Sequence, residues 1–178
     1  LEKAAAIVNG YRLGDPLDPE TSIGPMANTR FAQQVRAQID EAVAAGATAH
    51  IDTMQADDGG AYLTPQILTD VTHEMRVMRD ESFGPVVGIM KVSSDEEAIA
   101  LMNDSDFGLT ASVWTGDATR AEAIADQIET GTVFMNRADY LDPGLCWTGC
   151  KNTGRGGGLS LIGYHNLTRP KSYHLKKA

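Results

Sequence analysis

The chain has 178 residues and carries 24 acidic side chains against 15 basic ones, which gives a formal net charge of −9. Apolar residues make up 42% of the sequence and aromatic residues only 6%, a composition that favours a globular α/β protein with an interior of small residues. The acidic balance argues against nucleic acid or an anionic membrane as the main partner, and no apolar run approaches the roughly 18 residues of a membrane-spanning helix.

The cysteine content and the first residues bear on the cellular location of the protein and on whether the chain is part of a longer one. Two cysteines, Cys146 and Cys150, are too few for a disulfide framework. Reduced thiols are the simplest interpretation, which predicts an intracellular, cytoplasmic location. The sequence opens at Leu1 with helical character and without a signal-peptide pattern, so we expect it to be a piece of a longer protein.

The first third of the chain predicts a helix tail, a stiff loop and one clear helix. Leu1–Leu13 has helical character, and the three prolines and two glycines of Gly14–Pro25 predict a long loop. The helix that follows has a cap at Asn28 or Thr29 and a stop at Gly46. Its apolar residues recur at every fourth position, at Phe31, Val35, Ile39 and Val43.

Short elements are predicted between this helix and residue 80. Pro65 interrupts the apolar segment Tyr62–Leu68, so this strand should lie at a sheet edge or form two pieces. The other predicted elements are an extended segment at Ala47–Ile51, a turn at Asp57–Gly60 and a short helix at Thr72–Arg79.

Residues 85–136 alternate strand, helix, strand, helix, strand, as in a doubly wound parallel sheet. A capping box at Ser94–Glu97 opens the first helix, which ends near Asp104, and Asp117 caps the second helix before the stop at Gly131. The strands are predicted at Pro85–Val92, Leu109–Thr115 and Thr132–Asn136, with apolar residues on both faces as expected under two layers of helices.

The character of the sequence changes after Asn136. Residues 137–158 hold six glycines and one proline and show no helical period, which predicts a long irregular loop with a functional or bridging role. The last residues, 159–178, end in a polar, extended tail, which we expect to pair with another sheet edge.

Several residue types that often carry chemistry favour no site here. The four histidines have no metal-ligand spacing, and Cys146 and Cys150 lack a second cysteine pair and a neighbouring base, so surface histidines and two unrelated thiols are favoured. The segment Gly154–Gly158 lacks the lysine of a phosphate-binding loop, which favours close packing or tight turns. We therefore predict no metal site and no catalytic residue among them.

The segment Glu81–Pro85 is more informative. It places a carboxylate and an aromatic ring two residues apart, immediately before a strand. In an extended backbone, Glu81 and Phe83 would face the same side and could reach one ligand together. The alternative from the residues alone is a helix C-terminus followed by a core phenylalanine.

Four motifs, taken together and in order, carry a resemblance that covers essentially the whole chain. They are Gly14–Pro25, Glu81–Val86, Asn103–Ala111 and Gly131–Asn136. With this set, the sequence resembles the C-terminal part of the NAD(P)-dependent aldehyde dehydrogenase superfamily. The resemblance implies a partial doubly wound parallel-sheet catalytic domain, with NAD or NADP as cofactor and a small aldehyde as substrate.

The resemblance also implies roles for three residues. Glu81 would hold the hydroxyls of the nicotinamide ribose, Phe83 would pack near the nicotinamide, and Trp147 would line the aldehyde pocket. Cys146 and Thr148 depart from the family pattern around this tryptophan, which bears on the substrate class. In the family, the nucleophilic cysteine and the base glutamate lie upstream of the first motif, so residues 1–178 alone should be inactive.

The implied organisation has three parts. Residues 1–136 would belong to the catalytic domain, residues 137–158 would form a loop at the substrate mouth, and residues 159–178 would form an oligomerisation strand segment in a homodimer or homotetramer. Two alternatives stay open: a CoA-acylating aldehyde dehydrogenase, and a non-catalytic oligomerisation or binding module.

Overall fold

The structure, a computed structural model, describes residues 1–177 and divides into two units, Leu1–Lys91 and Val92–Ala178. Elements of the first unit are α1 (Glu2–Asn9), α2 (Thr29–Ala44), β1 (Thr48–Ala49), β2 (Gln66–Thr69), α3 (Arg76–Arg79) and β3 (Val86–Gly88). Elements of the second unit are α4 (Asp95–Asn103), β4 (Phe107–Gly108), β5 (Thr110–Val113), α5 (Ala118–Ala125), β6 (Thr132–Met135), β7 (Trp147–Thr148), β8 (Cys150–Lys151), β9 (Gly157–Gly158) and α6 (Ser160–Leu167). Within residues 1–177, no helix is both long and apolar enough to cross a bilayer.

Helix α2 confirms the clearest prediction from the sequence, with one correction. The Asn28 side chain caps it by accepting a hydrogen bond from the Phe31 N–H at 3.0 Å, and Gly46 takes the left-handed conformation, φ 107°, that stops it. Phe31 and Val43, however, are 38% and 43% exposed. A four-residue spacing drifts by about 40° per step on a helix of 3.6 residues per turn, so the predicted stripe turns out of the core. The buried positions are Ala32, Val35, Gln38 and Ala42.

The sheet of the first unit has the order β1-β2-β3, with β1 antiparallel and β3 parallel to β2. The expectation of an edge strand at Tyr62–Leu68 is therefore wrong, because β2 is the middle strand. The alternative of two strand pieces is also not seen, since only the part after Pro65 is a strand. Pro65 does not weaken the sheet because it lies just before Gln66, the first residue of the ladder. The buried apolar residues packed between this sheet and its helices are Ala32, Val35, Ala42, Ala47, Leu63, Leu68, Val71 and Met75.

A charged contact fixes α2 to the loop that leads into β2. The Arg36 guanidinium lies 2.6 Å from the Asp57 carboxylate and also donates to the carbonyls of Gly60 and Tyr62. Asp57 in turn accepts from the Thr64 N–H at 2.8 Å. Burial would raise the pKa of Asp57, but the hydrogen bonds from Thr64 and Arg36 outweigh it and hold the pKa below its ordinary value.

This contact predicts an acid-sensitive contribution to stability. Because the folded-state pKa of Asp57 is depressed, its contribution is complete above the unfolded-state pKa and is lost as the pH falls towards the folded-state value. We expect Asp57→Asn to lower the free energy of unfolding at neutral pH by about 1–2 kcal/mol, since it leaves the half-buried Arg36 without its charged partner while the contacts to backbone carbonyls remain. Urea unfolding between neutral and acidic pH should show a smaller loss of stability in the variant than in the wild type. The control Asp52→Asn removes an exposed carboxylate. It should change neither the free energy of unfolding at neutral pH nor the loss of stability at acidic pH.

The second unit confirms the predicted helix starts and one parallel crossover. Ser94 caps α4 by accepting from the Glu97 N–H at 3.2 Å, and the Glu97 carboxylate accepts from the Ser93 N–H at 2.7 Å. Asp117 caps α5 through the N–H groups of Thr119 and Arg120. β5 and β6, joined by α5, pair in parallel from Thr110↔Thr132 to Val113↔Met135. Strand β3 pairs with β2, so the strands of the predicted alternation belong to two different sheets.

The glycine-rich loop and the tail differ from their predictions. The loop contains short antiparallel pairings, β7 with β9 and β8 with β4. The tail begins with α6, which the sequence did not predict because its apolar residues show no one-sided period and Gly163 interrupts them. Residues 168–177 form no helix or strand within the described part of the chain. Pairing of this segment with the sheet edge of another subunit stays a prediction.

Candidate functional site

The segment Glu81–Gly84 is a loop between α3 and β3, and its first end is held by ion pairs. Arg76 on α3 lies 2.9 Å from the Asp80 carboxylate and 3.1 Å from Glu41 on α2. The hydrogen bonds that the Arg76 guanidinium donates to the Asp80 and Glu41 carboxylates raise its pKa. The residue immediately before Glu81 is therefore tied to both helices.

The second end of the loop is held by the sheet and by close packing. The Pro85 carbonyl accepts from the Gln66 N–H at 2.8 Å, where the parallel pairing of β2 and β3 begins. A Cβ added to Gly84 would lie 2.7 Å from Cγ2 of Val35. Only glycine therefore lets the loop approach α2 this closely.

Between these anchors, Phe83 has an unfavourable conformation and environment. It is a non-glycine residue with φ 47°, and its side chain is 83% exposed. Left-handed backbone is uncommon for a bulky residue, and such outliers concentrate at functional sites. The expectation of a regular extended backbone across Glu81–Phe83 is wrong at Phe83, because a φ of 47° lies outside the extended region.

The exposed pair fits the group that the resemblance implies. Glu81 is exposed next to Phe83 on the same anchored loop. A carboxylate can accept hydrogen bonds from both hydroxyls of a sugar diol, and an exposed ring offers a flat apolar surface. Among residues 1–177, Phe83 is not a core phenylalanine, since its side chain is 83% exposed.

Trp147 belongs to the second unit and is half-buried in β7. It pairs with Gly158 of β9, and the Thr148 hydroxyl donates to the Gly156 carbonyl at 2.7 Å. Cys146 lies beside Gly157, whose Cβ, if added, would be 2.7 Å from the Cys146 sulfur. Trp147 is therefore fixed by a glycine-rich hairpin, which explains much of the glycine content of the loop.

The start of the loop is fixed at the carboxyl end of β6. Asn136 has φ 54°, and its side-chain amide accepts from the Thr115 N–H at 2.9 Å and donates to the Thr115 carbonyl at 2.8 Å. The Ser112 hydroxyl donates to the Arg137 carbonyl. The Arg137 guanidinium carbon lies 4.2 Å from the ring centre of Tyr140.

Two asparagines, Asn103 at the start of one motif and Asn136 at the end of another, are positioning residues for which the sequence analysis assigned no role. The Asn103 side chain bonds to the Gln127 carbonyl at 2.7 Å and to the Glu129 N–H at 2.8 Å, so it ties the end of α4 to the loop after α5. Asn136 makes the equivalent double contact at the end of β5. The sequence feature that could have indicated this role is an asparagine at the end of a helix or strand. There a side-chain amide can bond to backbone N–H and C=O groups that the element itself leaves unpaired.

The remaining candidates carry no contacts that point to chemistry. Cys146 and Cys150 are both free thiols. Among residues 1–177, no three His, Cys, Asp or Glu side chains are grouped as a metal site. Glu81 and Phe83 thus share one loop of the first unit, and Trp147 lies in the second.

Comparison with known proteins agrees with the four motifs. The model of the aldehyde dehydrogenase family matches residues 1–173. An aldehyde dehydrogenase from Paenarthrobacter nicotinovorans is 43% identical over 159 residues, which cover 89% of this chain and 35% of that protein. A succinate-semialdehyde dehydrogenase [NADP(+)] from Deinococcus radiodurans is 37% identical over 158 residues, covering 89% and 33%.

The fold agrees as well. A structure of betaine aldehyde dehydrogenase from Staphylococcus aureus in complex with NAD+ matches with a TM-score of 0.82 at 30% identity, over 93% of this chain and 34% of that one. The present chain spans about a third of the length of the curated relatives it matches. The predicted fold class, a partial α/β catalytic domain, is confirmed by this match. With a family model that extends over residues 1–173, the chain belongs to the aldehyde dehydrogenase family.

Proposed function

We propose that the protein carrying this chain oxidises an aldehyde to a carboxylic acid with NAD or NADP. The observation that carries this proposal is the anchored Glu81–Gly84 loop, which presents an exposed carboxylate and an exposed ring at the cost of a left-handed backbone at Phe83. Family membership and the names of the relatives support the reaction class.

The residues of this chain would bind and orient. The cofactor, when bound, supplies a hydride acceptor. Glu81 accepts hydrogen bonds from the hydroxyls of the nicotinamide ribose, which fixes the rotation of the attached ring. Phe83 packs near that ring, and Trp147 lines the aldehyde pocket from its hairpin. Orientation of this kind lowers the barrier because the reacting groups are held together before reaction.

The covalent step would use residues outside this chain. We propose that a cysteine thiolate upstream would attack the aldehyde to give a thiohemiacetal, and that loss of hydride from this adduct to the bound cofactor would leave a thioester. An upstream glutamate would then activate water, which hydrolyses the thioester to the acid and the free thiol. If CoA took the place of water, the product would be an acyl-CoA, which is the CoA-acylating alternative. Within this proposal the substrate is a small aldehyde, residues 137–158 shape the substrate mouth, and 159–178 join subunits of a homodimer or homotetramer in the cytoplasm.

The test is an assay of the complete protein beside residues 1–178 alone. We expect the complete protein to reduce NAD or NADP only when an aldehyde is present, and residues 1–178 to show no such activity because the proposed nucleophilic cysteine lies outside them. Analysis of the product separates a free acid from an acyl-CoA. Aldehyde-dependent reduction by residues 1–178, or none by the complete protein, would contradict the proposal.

A further inference from the structure

We propose that Arg137 binds a carboxylate on the substrate, so that the protein selects aldehydes that carry an anionic group. This inference rests on the proposed function and names its substrate class. Arg137 is exposed and is the first residue after Asn136 in the loop proposed to shape the substrate mouth.

The position of Arg137 is one where ligands bind in open α/β sheets. β5 and β6 run parallel, so their carboxyl ends lie at the same edge. Arg137 follows β6 at that edge, and Thr115 follows β5. Ligands in such sheets occupy the crevice outside the carboxyl ends of the strands.

The backbone of Arg137 is held in place by its neighbours. Asn136, in the left-handed region, binds both backbone groups of Thr115 through its side-chain amide. On the other side, the Ser112 hydroxyl bonds to the Arg137 carbonyl. A loop residue with these contacts presents its side chain in a defined place, which reduces the entropy lost on binding.

The guanidinium of Arg137 lies against an aromatic ring and has no carboxylate partner among residues 1–177. It stacks on Tyr140 at 4.2 Å, which occupies one face and leaves the N–H edges for a ligand. It forms no ion pair with a carboxylate of residues 1–177, although Asp139 and Asp142 follow in the same loop. By contrast, four other arginines, Arg12, Arg36, Arg76 and Arg120, are each paired with a carboxylate.

A planar, stacked guanidinium matches a carboxylate through two parallel hydrogen bonds. Cofactor phosphates offer similar oxygens, so the anion could come from either source. We assign the substrate, because Arg137 shares its loop with Trp147, the residue proposed to line the aldehyde pocket.

The test compares two aldehydes in the complete protein: succinate semialdehyde and butanal, which has the same chain length but no carboxylate. We expect Arg137→Gln to lower kcat/KM for succinate semialdehyde by about tenfold to a hundredfold, mainly through KM, since a charged hydrogen-bonded contact is lost. The kcat/KM for butanal and the KM of the cofactor should stay unchanged. Tyr140→Leu should lower kcat/KM for succinate semialdehyde but not for butanal. Tyr140→Phe should retain wild-type kinetics because the aromatic ring is kept.

The matched control is Arg30→Gln, which removes another exposed arginine beside an aromatic ring, 5.1 Å from the centre of Phe31, outside the loop proposed to shape the substrate mouth. Wild-type kinetics in this variant would support a specific role for Arg137. An equal loss with both aldehydes, a change confined to the KM of the cofactor, or an equal effect of Arg30→Gln would overturn the inference while aldehyde oxidation stands. Absence of activity with every aldehyde would instead overturn the proposed function, and this inference with it.

Discussion

Replacing Glu81 with glutamine in the complete protein should weaken cofactor binding by about tenfold to a hundredfold, because hydrogen bonds to a charged group contribute roughly 1.5–3 kcal/mol. The Glu81 side chain is exposed and its loop is anchored through Asp80, Gly84 and Pro85 rather than through the carboxylate. The free energy of unfolding should therefore stay unchanged. Titration of reduced cofactor, followed by its fluorescence, measures the dissociation constant directly.

Glu122→Gln is the matched control for this experiment. Glu122 is an exposed glutamate on α5 and forms none of the ion pairs described for residues 1–177. The substitution Glu122→Gln removes one negative charge, as Glu81→Gln does, but leaves the Glu81–Gly84 loop unaltered. The dissociation constant of the cofactor should therefore equal that of the wild type. If Glu81→Gln bound the cofactor as tightly as the wild type, the ribose role would be wrong. If both variants weakened it equally, the effect would be one of net charge.

Local features of the fold followed from the sequence, and pairings between distant segments did not. Asn28, Ser94 and Asp117 were predicted as helix caps and act as caps, because a cap depends only on a side chain and the next three N–H groups. The central place of β2 depends on β1 and β3, which no local pattern of β2 encodes. Helix α6 escaped prediction since its packing partners, rather than its own period, decide its conformation.

In the candidate site, too, the local features could be predicted from the sequence and the features that depend on distant segments could not. The spacing of Glu81 and Phe83 indicated a joint role, but the left-handed backbone at Phe83 could not be predicted, since bulky residues disfavour it. That conformation is fixed from outside the loop, by Arg76 at one end and by the approach of Gly84 to Val35 at the other. The strain is therefore a property of the assembled unit, which is why it becomes visible only in the structure.

Gly131→Ala should have the largest effect on stability, a loss of about 3 kcal/mol or more, because overpacking against backbone cannot be relieved by a rotamer change. A Cβ at Gly131 would overlap the carbonyl oxygen of Thr148 and come within 3.1 Å of the Gly149 nitrogen. Thr148 follows Trp147 in β7, so the clash should also displace the tryptophan. Urea unfolding measures the first effect, and Trp147 fluorescence, recorded in a Trp114→Phe background, measures the second.

Gly116→Ala separates this clash from a general effect of losing a glycine. A Cβ at Gly116 would meet nothing within 4 Å, and the backbone there is not left-handed. That variant should be as stable as the wild type or slightly more stable, because alanine restricts the unfolded chain. Equal stability of the two variants, or an unshifted Trp147 emission in a destabilised Gly131→Ala, would show that the hairpin does not depend on the close approach at Gly131. The opposite result would identify Gly131, the first residue of its motif, as the position that sets where Trp147 lies.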